Sequence, residues 1–93
     1  MKTNPVLVTT EHRGVFFGYL GKRKPAKAKL TLEHCRCCVY WSSEMRGFLG
    51  LATHGPDSDC KIGPAAPKVT LFDVTSVTAV SEQAAKKWEN ATW

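Results

Sequence analysis

The chain has 93 residues, of which 43% are hydrophobic and 23% are charged, and its net charge at neutral pH is +5. This length suits one domain, residues 1–93, with a single compact core, and the composition excludes an intrinsically disordered chain. No apolar run approaches the ~18 residues that a membrane-spanning helix needs, and the first residues lack the apolar stretch of a signal peptide. We therefore expect a cytoplasmic protein whose four cysteines stay reduced.

The first half of the chain is predicted to form an antiparallel meander. Apolar and polar residues alternate there, as they do in strands with one buried face. The four predicted strands are 5–10, 15–20, 28–33 and 36–41. Gly18 interrupts one apolar face of the second strand, which predicts a bulge or a sharp bend. In the third strand, Ala28, Leu30 and Leu32 are expected to face the core.

The second half begins with a helical period. Four apolar residues recur at the spacing of a buried helical stripe; they are Met45, Phe48, Leu49 and Ala52. Ser43 is placed to cap the start of this helix, and Gly55 and Pro56 are expected to end it.

The last part of the chain is predicted to hold strands and then a helix. Residues 68–80 form one or two strands, because their alternation breaks near Asp73. A short closing helix follows, with Ser81 as its expected cap. Its predicted buried stripe consists of Ala84, Trp88 and Ala91.

Strands therefore outnumber helices, and the predicted fold class is mainly β (α+β). We expect a small, strongly bent antiparallel β-barrel or roll of five or six strands, SH3-like or Sm-like, with one inserted short helix and one C-terminal helix. An open α+β sheet covered by the two helices is the alternative. Among the aromatic residues, we expect Phe17, Tyr40 or Trp41, and Phe72 to fill the barrel while Trp88 seals its end.

Four short motifs carry a resemblance to a known family. They are Arg13-Gly14-Val15-Phe16, Tyr40-Trp41, Cys60-Lys61 and Val80-Ser81-Glu82. With similarity along nearly its whole length, the chain resembles a family of short uncharacterised proteins of tailed phages and prophages. The resemblance implies a viral setting inside a bacterial host and no particular activity. The chain departs from the family pattern at Cys37, Cys38 and Val39, and its basic cluster at 22–29 is richer.

Positive charge is concentrated between residues 21 and 29. Such a cluster attracts polyanions or an acidic protein face over about a Debye length, ~8–10 Å. A solvated loop that only keeps the protein soluble is the alternative. The candidate binding residues are Lys22, Arg23, Lys24, Lys27 and Lys29, with Arg13 and Arg36 in support and Tyr19 as the nearest aromatic contact.

Three of the four cysteines lie in the stretch LEHCRCCVYW, residues 32–41. A structural zinc ion needs four ligands in a tetrahedral array, and the one C-x2-C pair, Cys35 and Cys38, has no second pair along the chain to complete the site. Cys37 and Cys38 are neighbours in a predicted strand and so point to opposite faces. A disulfide between Cys60 and Cys35 or Cys38 fits the geometry but not a reducing compartment. The four cysteines are thus weak metal candidates and are better explained as small buried apolar residues. We expect no cofactor.

No catalytic signature or phosphate-binding glycine loop is present, and we predict that the protein is not an enzyme. The leading hypothesis is a small phage-encoded binding protein that modulates a host factor in the host cytoplasm, including an anti-defence role of the anti-CRISPR kind. One alternative is a nucleic-acid-binding SH3-like or Sm-like barrel, in which aromatic rings beside the basic loop stack on bases. Another is a sponge for signalling nucleotides. The expected partner is a host protein or a protein–nucleic-acid complex, with no membrane, and the oligomeric state is not indicated.

Overall fold

The computed structural model describes residues 3–11, 14–24, 26–41, 48–57 and 60–91. Six strands and two helices occur in this part of the chain, in agreement with the predicted mainly β class. In chain order they are β1 Pro5–Thr10, β2 Val15–Tyr19, β3 Lys29–Tyr40, α1 Phe48–His54, β4 Lys61–Ile62, β5 Ala66–Phe72, β6 Val74–Ala79 and α2 Glu82–Asn90. Neither helix is long and apolar enough to cross a membrane.

All strands belong to one antiparallel sheet with the order β4-β3-β2-β1-β6, and β5 also pairs with β3. The long strand β3 therefore has β2 along one edge, and β5 followed by β4 along the other. The prediction of two separate strands at 28–33 and 36–41 is wrong, because β3 continues through His34. His34 has a φ of +50°, and the alternation slips there by one residue, so that Leu32 and Cys35 face the same core.

A bulge interrupts the pairing of β2 with β3. The register shifts between Phe17 and Tyr19, on either side of Gly18, as predicted. The backbone of β3 passes so close that a Cβ atom on Gly18 would lie 2.7 Å from the Cβ of Leu32. Glycine at this position thus permits the close approach that the bend of the sheet requires.

The sheet is strongly curled but not closed into a barrel. β5 and β6 lie at its opposite edges, yet only Asp73, with a φ of +54°, separates them in sequence. Backbone hydrogen bonds hold this corner: Val74 N donates to Lys27 O (2.9 Å), and Glu11 N donates to Asp73 O (3.0 Å). No ladder joins β5 to β6 within the described ranges. The predicted break near Asp73 is confirmed, whereas a hydrogen-bonded barrel is not formed.

Each face of the sheet has its own core. The inner face curls around an apolar cluster of Val6, Val8, Leu20, Leu30, Leu32, Cys35, Leu71 and Val74. The outer face, apart from the exposed β3–β5 ladder, is covered by α1 and α2 over a larger cluster of Leu7, Val15, Phe17, Tyr19, Cys38, Leu51, Ala52, Cys60, Ile62, Val80, Ala84, Ala85 and Trp88. Ala28 is exposed, contrary to prediction, because it precedes β3 instead of belonging to it.

The helix ends follow the predicted signals. α1 ends at His54, where Gly55 has a φ of +81° and its N–H bonds to Leu51 O at 3.1 Å. α2 begins after Ser81, whose Oγ accepts a hydrogen bond from Ala84 N (3.1 Å). Ala84 and Trp88 are buried as predicted, and Ala91 packs against the same cluster.

The predicted stripe of α1 is only partly correct. Ala52 is buried, but Leu49 is 58% exposed, and Leu51 contributes to the core instead. The predicted cap Ser43 and the stripe residue Met45 lie outside the described residues.

Candidate nucleic-acid interface

The loop that joins β2 to β3 is held at both ends. At its start, Gly21 has a φ of +64°, its N–H donates to Thr3 O (3.0 Å), and its carbonyl accepts from Asn4 Nδ2 (2.6 Å). At its end, Lys27 O accepts the hydrogen bond from Val74 N. Hydrogen bonds to other parts of the chain therefore fix both ends of the loop.

Four lysines of this region form what we call the basic patch. They are Lys22, Lys24, Lys27 and Lys29, and all four are exposed. None of them makes an ion pair with a residue in the described part of the chain. Their positive charge is therefore available to an anionic partner.

Arg23, although it lies within the same loop, is committed to other contacts. Its Nη1 lies 2.8 Å from Glu33 Oε2 and also contacts Leu20 O at 3.4 Å. The hydrogen bond from Arg23 lowers the pKa of the Glu33 carboxyl group. Arg23 thereby compensates the charge of Glu33, which lines a cleft together with Lys22.

Two predicted site residues lie in the core instead. Arg36 is only 9% exposed; its Nε donates to Gly63 O (2.7 Å) and its Nη1 to Trp88 O (2.6 Å). Desolvation lowers the pKa of this guanidinium group. Tyr19 is 3% exposed, and its hydroxyl donates to the Glu89 carboxylate. Neither side chain can contact a partner at the surface, because both are used to fix α2. Arg13 lies outside the described residues.

The structure instead exposes an aromatic ring that we expected in the core. Phe72 is 61% exposed and stands directly opposite Lys29 in the β3–β5 ladder. Side chains of directly opposed residues lie on the same face, about 4.5–5.5 Å apart at Cβ. Tyr40 is also exposed (53%), whereas Trp41, the other candidate at that position, packs against the outer cluster. Phe17 and Trp88 are buried in that cluster. The expectation that Phe72 lies in the core is therefore wrong.

A signal for the exposure of Phe72 was present in the sequence. In β5, Leu71 points into the inner core, so strict alternation places Lys68, Thr70 and Phe72 on the other face. Thr70 pairs with Thr31 across the ladder, with their hydroxyl oxygens 2.9 Å apart. The outer face of the β3–β5 ladder is thus a surface of hydroxyl groups and charged residues with one aromatic ring.

An open cleft of about 550 Å³ lies at the base of the loop. Its lining residues are Thr3, Gly21, Lys22, Arg23 and Glu33. Of the basic patch, Lys22 lines this cleft, which is large enough for a small polar group beside that lysine.

None of the four cysteines forms a disulfide; three of them are packed within the two cores, and Cys37 is half-buried. Cys35 belongs to the inner cluster, and Cys38 and Cys60 to the outer one. Burial raises the pKa of Cys35 and of Cys38 to about 12, and the Cys60 thiol donates to Asp57 Oδ1 (3.3 Å). Across the described residues, no three His, Cys, Asp or Glu side chains are grouped to hold a metal ion. The arrangement is that of apolar packing residues.

Comparison with known proteins places the chain in a family. Residues 3–88 match the family model described as a domain of unknown function, DUF6948. The chain belongs to this family. No curated protein and no solved structure matches it. Family membership thus supports the predicted relationship to uncharacterised proteins and leaves the activity to be inferred from the surface.

Proposed function

We propose that this member of the DUF6948 family is a non-enzymatic binding protein that holds an anionic partner on its basic patch and thereby modulates a host factor. The observation that carries the proposal is a group of four exposed lysines, three on the loop anchored at both ends and one at the start of β3, none of which makes an ion pair with a described residue. Such a group of positive charges attracts an acidic surface.

The biological setting of the proposal comes from the resemblance to phage and prophage proteins. In that setting the protein acts in the cytoplasm of an infected bacterium, and its target is a host protein or a protein–nucleic-acid complex, including a defence complex of the CRISPR kind. The basic patch would be repelled by a positively charged nucleic-acid channel of a partner protein. The patch therefore binds an acidic protein face or a nucleic acid. We also propose an SH3-like or Sm-like arrangement of strands, because the sheet is curled and Asp73 alone joins its two edge strands, β5 and β6.

Direct binding of nucleic acid is the second candidate function. It is favoured by one specific observation, the exposed Phe72 ring opposite Lys29. Proteins that bind single strands combine such rings with a positively charged surface.

The experiment is affinity purification of the tagged protein from a bacterial host, at two salt concentrations and with and without nuclease. A protein retained after nuclease treatment supports modulation of a host factor and identifies the target. The double variant Lys22→Glu/Lys24→Glu should lose that protein. Lys86→Glu/Lys87→Glu, which changes the net charge equally on exposed positions of α2, should retain it. If both double variants retain the same proteins as the unmodified chain, the patch is not the binding site.

A further inference from the structure

The exposed face of the β3–β5 ladder combines three kinds of group on one small surface. Lys29 and Phe72 form one opposed pair, and Thr31 and Thr70 form the next pair along the ladder. The following pair consists of Glu33 and Lys68. From the first pair to the third, the surface extends for about 13 Å, given a rise of ~3.3 Å per residue.

Burial of the neighbouring residues explains why the ring points outward. Leu30, Leu32 and Leu71 fill the inner core, so the residues between them must face the opposite side. Phe72 is also the last residue of β5, and the corner at Asp73 follows it. A large ring with 61% exposure at the end of an edge strand contributes little to the core, and this leaves its face available to a ligand.

The charge along the ladder itself is mainly positive, although the exposed Asp73 follows Phe72 at the corner. Lys29 lies directly across the ladder, and the loop lysines Lys24 and Lys27 precede it in the chain. The one carboxylate on this face, that of Glu33, is compensated by Arg23 at 2.8 Å. A phosphate group on the ladder side of Phe72 would thus meet Lys29 and the loop lysines, whereas the Asp73 side of the ring is acidic.

We propose that this surface binds single-stranded nucleic acid, with an unpaired base stacked on Phe72 and the flanking phosphates held by Lys29 and the loop lysines. This inference rests on the proposed function and names its anionic partner. A duplex does not satisfy the same surface, because its bases are stacked on one another and cannot reach the ring. Recognition is independent of sequence, since every base offers a π face.

The test is fluorescence anisotropy with a labelled oligothymidylate strand, titrated with the intact protein over a series of salt concentrations. Phe72→Ala should weaken binding at least about fivefold, because stacking on an aromatic side chain contributes ~1–3 kcal/mol per base. The salt dependence should remain unchanged in this variant. Leu49→Ala is the matched control, since Leu49 is similarly exposed at 58% but lies on α1. This variant should bind the oligonucleotide with the same affinity as the unmodified protein.

Lys29→Glu separates the electrostatic part of binding from stacking. It should weaken binding and reduce the slope of log K against log salt by about 0.7 for the lost phosphate contact. Equal affinity of Phe72→Ala and the unmodified protein would overturn the inference, as would tighter binding of the duplex than of the single strand. A different outcome is that no oligonucleotide binds, while a host protein co-purifies after nuclease treatment with the unmodified chain but not with Lys22→Glu/Lys24→Glu. In that case the inference fails and the proposed function stands.

Discussion

Phe17 and Trp88 stack face to face, with ring centroids 5.2 Å apart and planes inclined by only 4°. The indole N–H of Trp88 also donates to Leu51 O at 3.1 Å. A single buried side chain of α2 thereby joins the sheet to both helices. The outer core depends on this contact, because it connects three elements that are distant in sequence.

Trp88→Ala should lower the free energy of unfolding by about 3–5 kcal/mol, the usual cost of removing a buried large aromatic side chain. Urea denaturation followed by circular dichroism measures this change. Leu49→Ala, on the exposed side of α1, should stay within ~0.5 kcal/mol of the unmodified protein. A loss below about 1 kcal/mol for Trp88→Ala would mean that the outer core does not depend on the stack.

Arg36 should behave as a structural residue and not as part of the binding surface. Its guanidinium group donates to carbonyl groups at the end of α2 and after β4. Arg36→Lys cannot reproduce this planar arrangement and should cost about 1–3 kcal/mol of stability, because buried carbonyls lose their donors. At a temperature where the variant is folded, its affinity for oligothymidylate should match that of the unmodified protein. A change in the salt slope of binding would instead assign Arg36 to the binding surface.

Gly18→Ala tests the close approach of β2 and β3. The added methyl group would lie 2.7 Å from Leu32 Cβ and 3.3 Å from Glu33 O, so one of the strands must move. We expect a loss of about 1–3 kcal/mol, as for other overpacked positions, measured by urea denaturation. Gly63→Ala is the control, because its Cβ would make an ordinary contact of 3.7 Å with Cys37 O. Equal stability of the two variants would show that the bulge has room for a side chain.

Local patterns in the sequence predicted much of the fold. The strand at 5–10, the break near Asp73, the bulge at Gly18 and the Ser81 cap all follow from alternation, turn residues and capping chemistry. The division of β3 was predicted wrongly because a single residue with positive φ, His34, shifts the alternation without ending the strand. The barrel was predicted from the number of strands and the bend at Gly18, and neither determines whether the two sheet edges pair.

The candidate site was predictable only in part. Charge density located the basic loop, because exposed lysines need no tertiary partner. Burial of Arg36 and Tyr19 was not visible in the sequence, since their acceptors lie on α2 and near β4, more than 25 residues away. Phe72 was assigned to the core on hydrophobicity, although its place in the alternation of β5 indicated the opposite face.

The buried thiols should make the protein less stable in alkali. Burial raises the pKa of Cys35 and of Cys38 from 9.0 in the unfolded state to about 12. The unfolded chain therefore loses these protons first, and the stability present below pH 9 decreases as the pH rises from about 9 to about 12. Urea denaturation between about pH 8 and pH 11 should show this decrease, to which the raised pKa of Tyr19 also contributes.

Cys35→Ala should flatten this pH dependence, even though the variant is less stable at neutral pH because of the cavity that it leaves. The slope of stability against pH is the measurement that matters, since a packing defect alone displaces the whole curve without changing its slope. If Cys35→Ala and the unmodified protein have the same slope, the Cys35 thiol does not titrate with unfolding.

Glu33→Gln should strengthen the binding of polyanions. The substitution keeps the shape of the side chain but releases the charge of Arg23, which is now paired with Glu33 at 2.8 Å, beside the basic patch. The affinity for oligothymidylate should rise, and the salt slope should steepen by about 0.7 if the released guanidinium gains one phosphate contact. Glu82→Gln on α2 raises the net charge by the same single unit and should have a smaller effect with no change of slope. Equal effects of the two substitutions on affinity would show that binding responds to the net charge of the whole protein. An increase in affinity confined to Glu33→Gln would locate the anion beside Arg23 and the β3–β5 ladder.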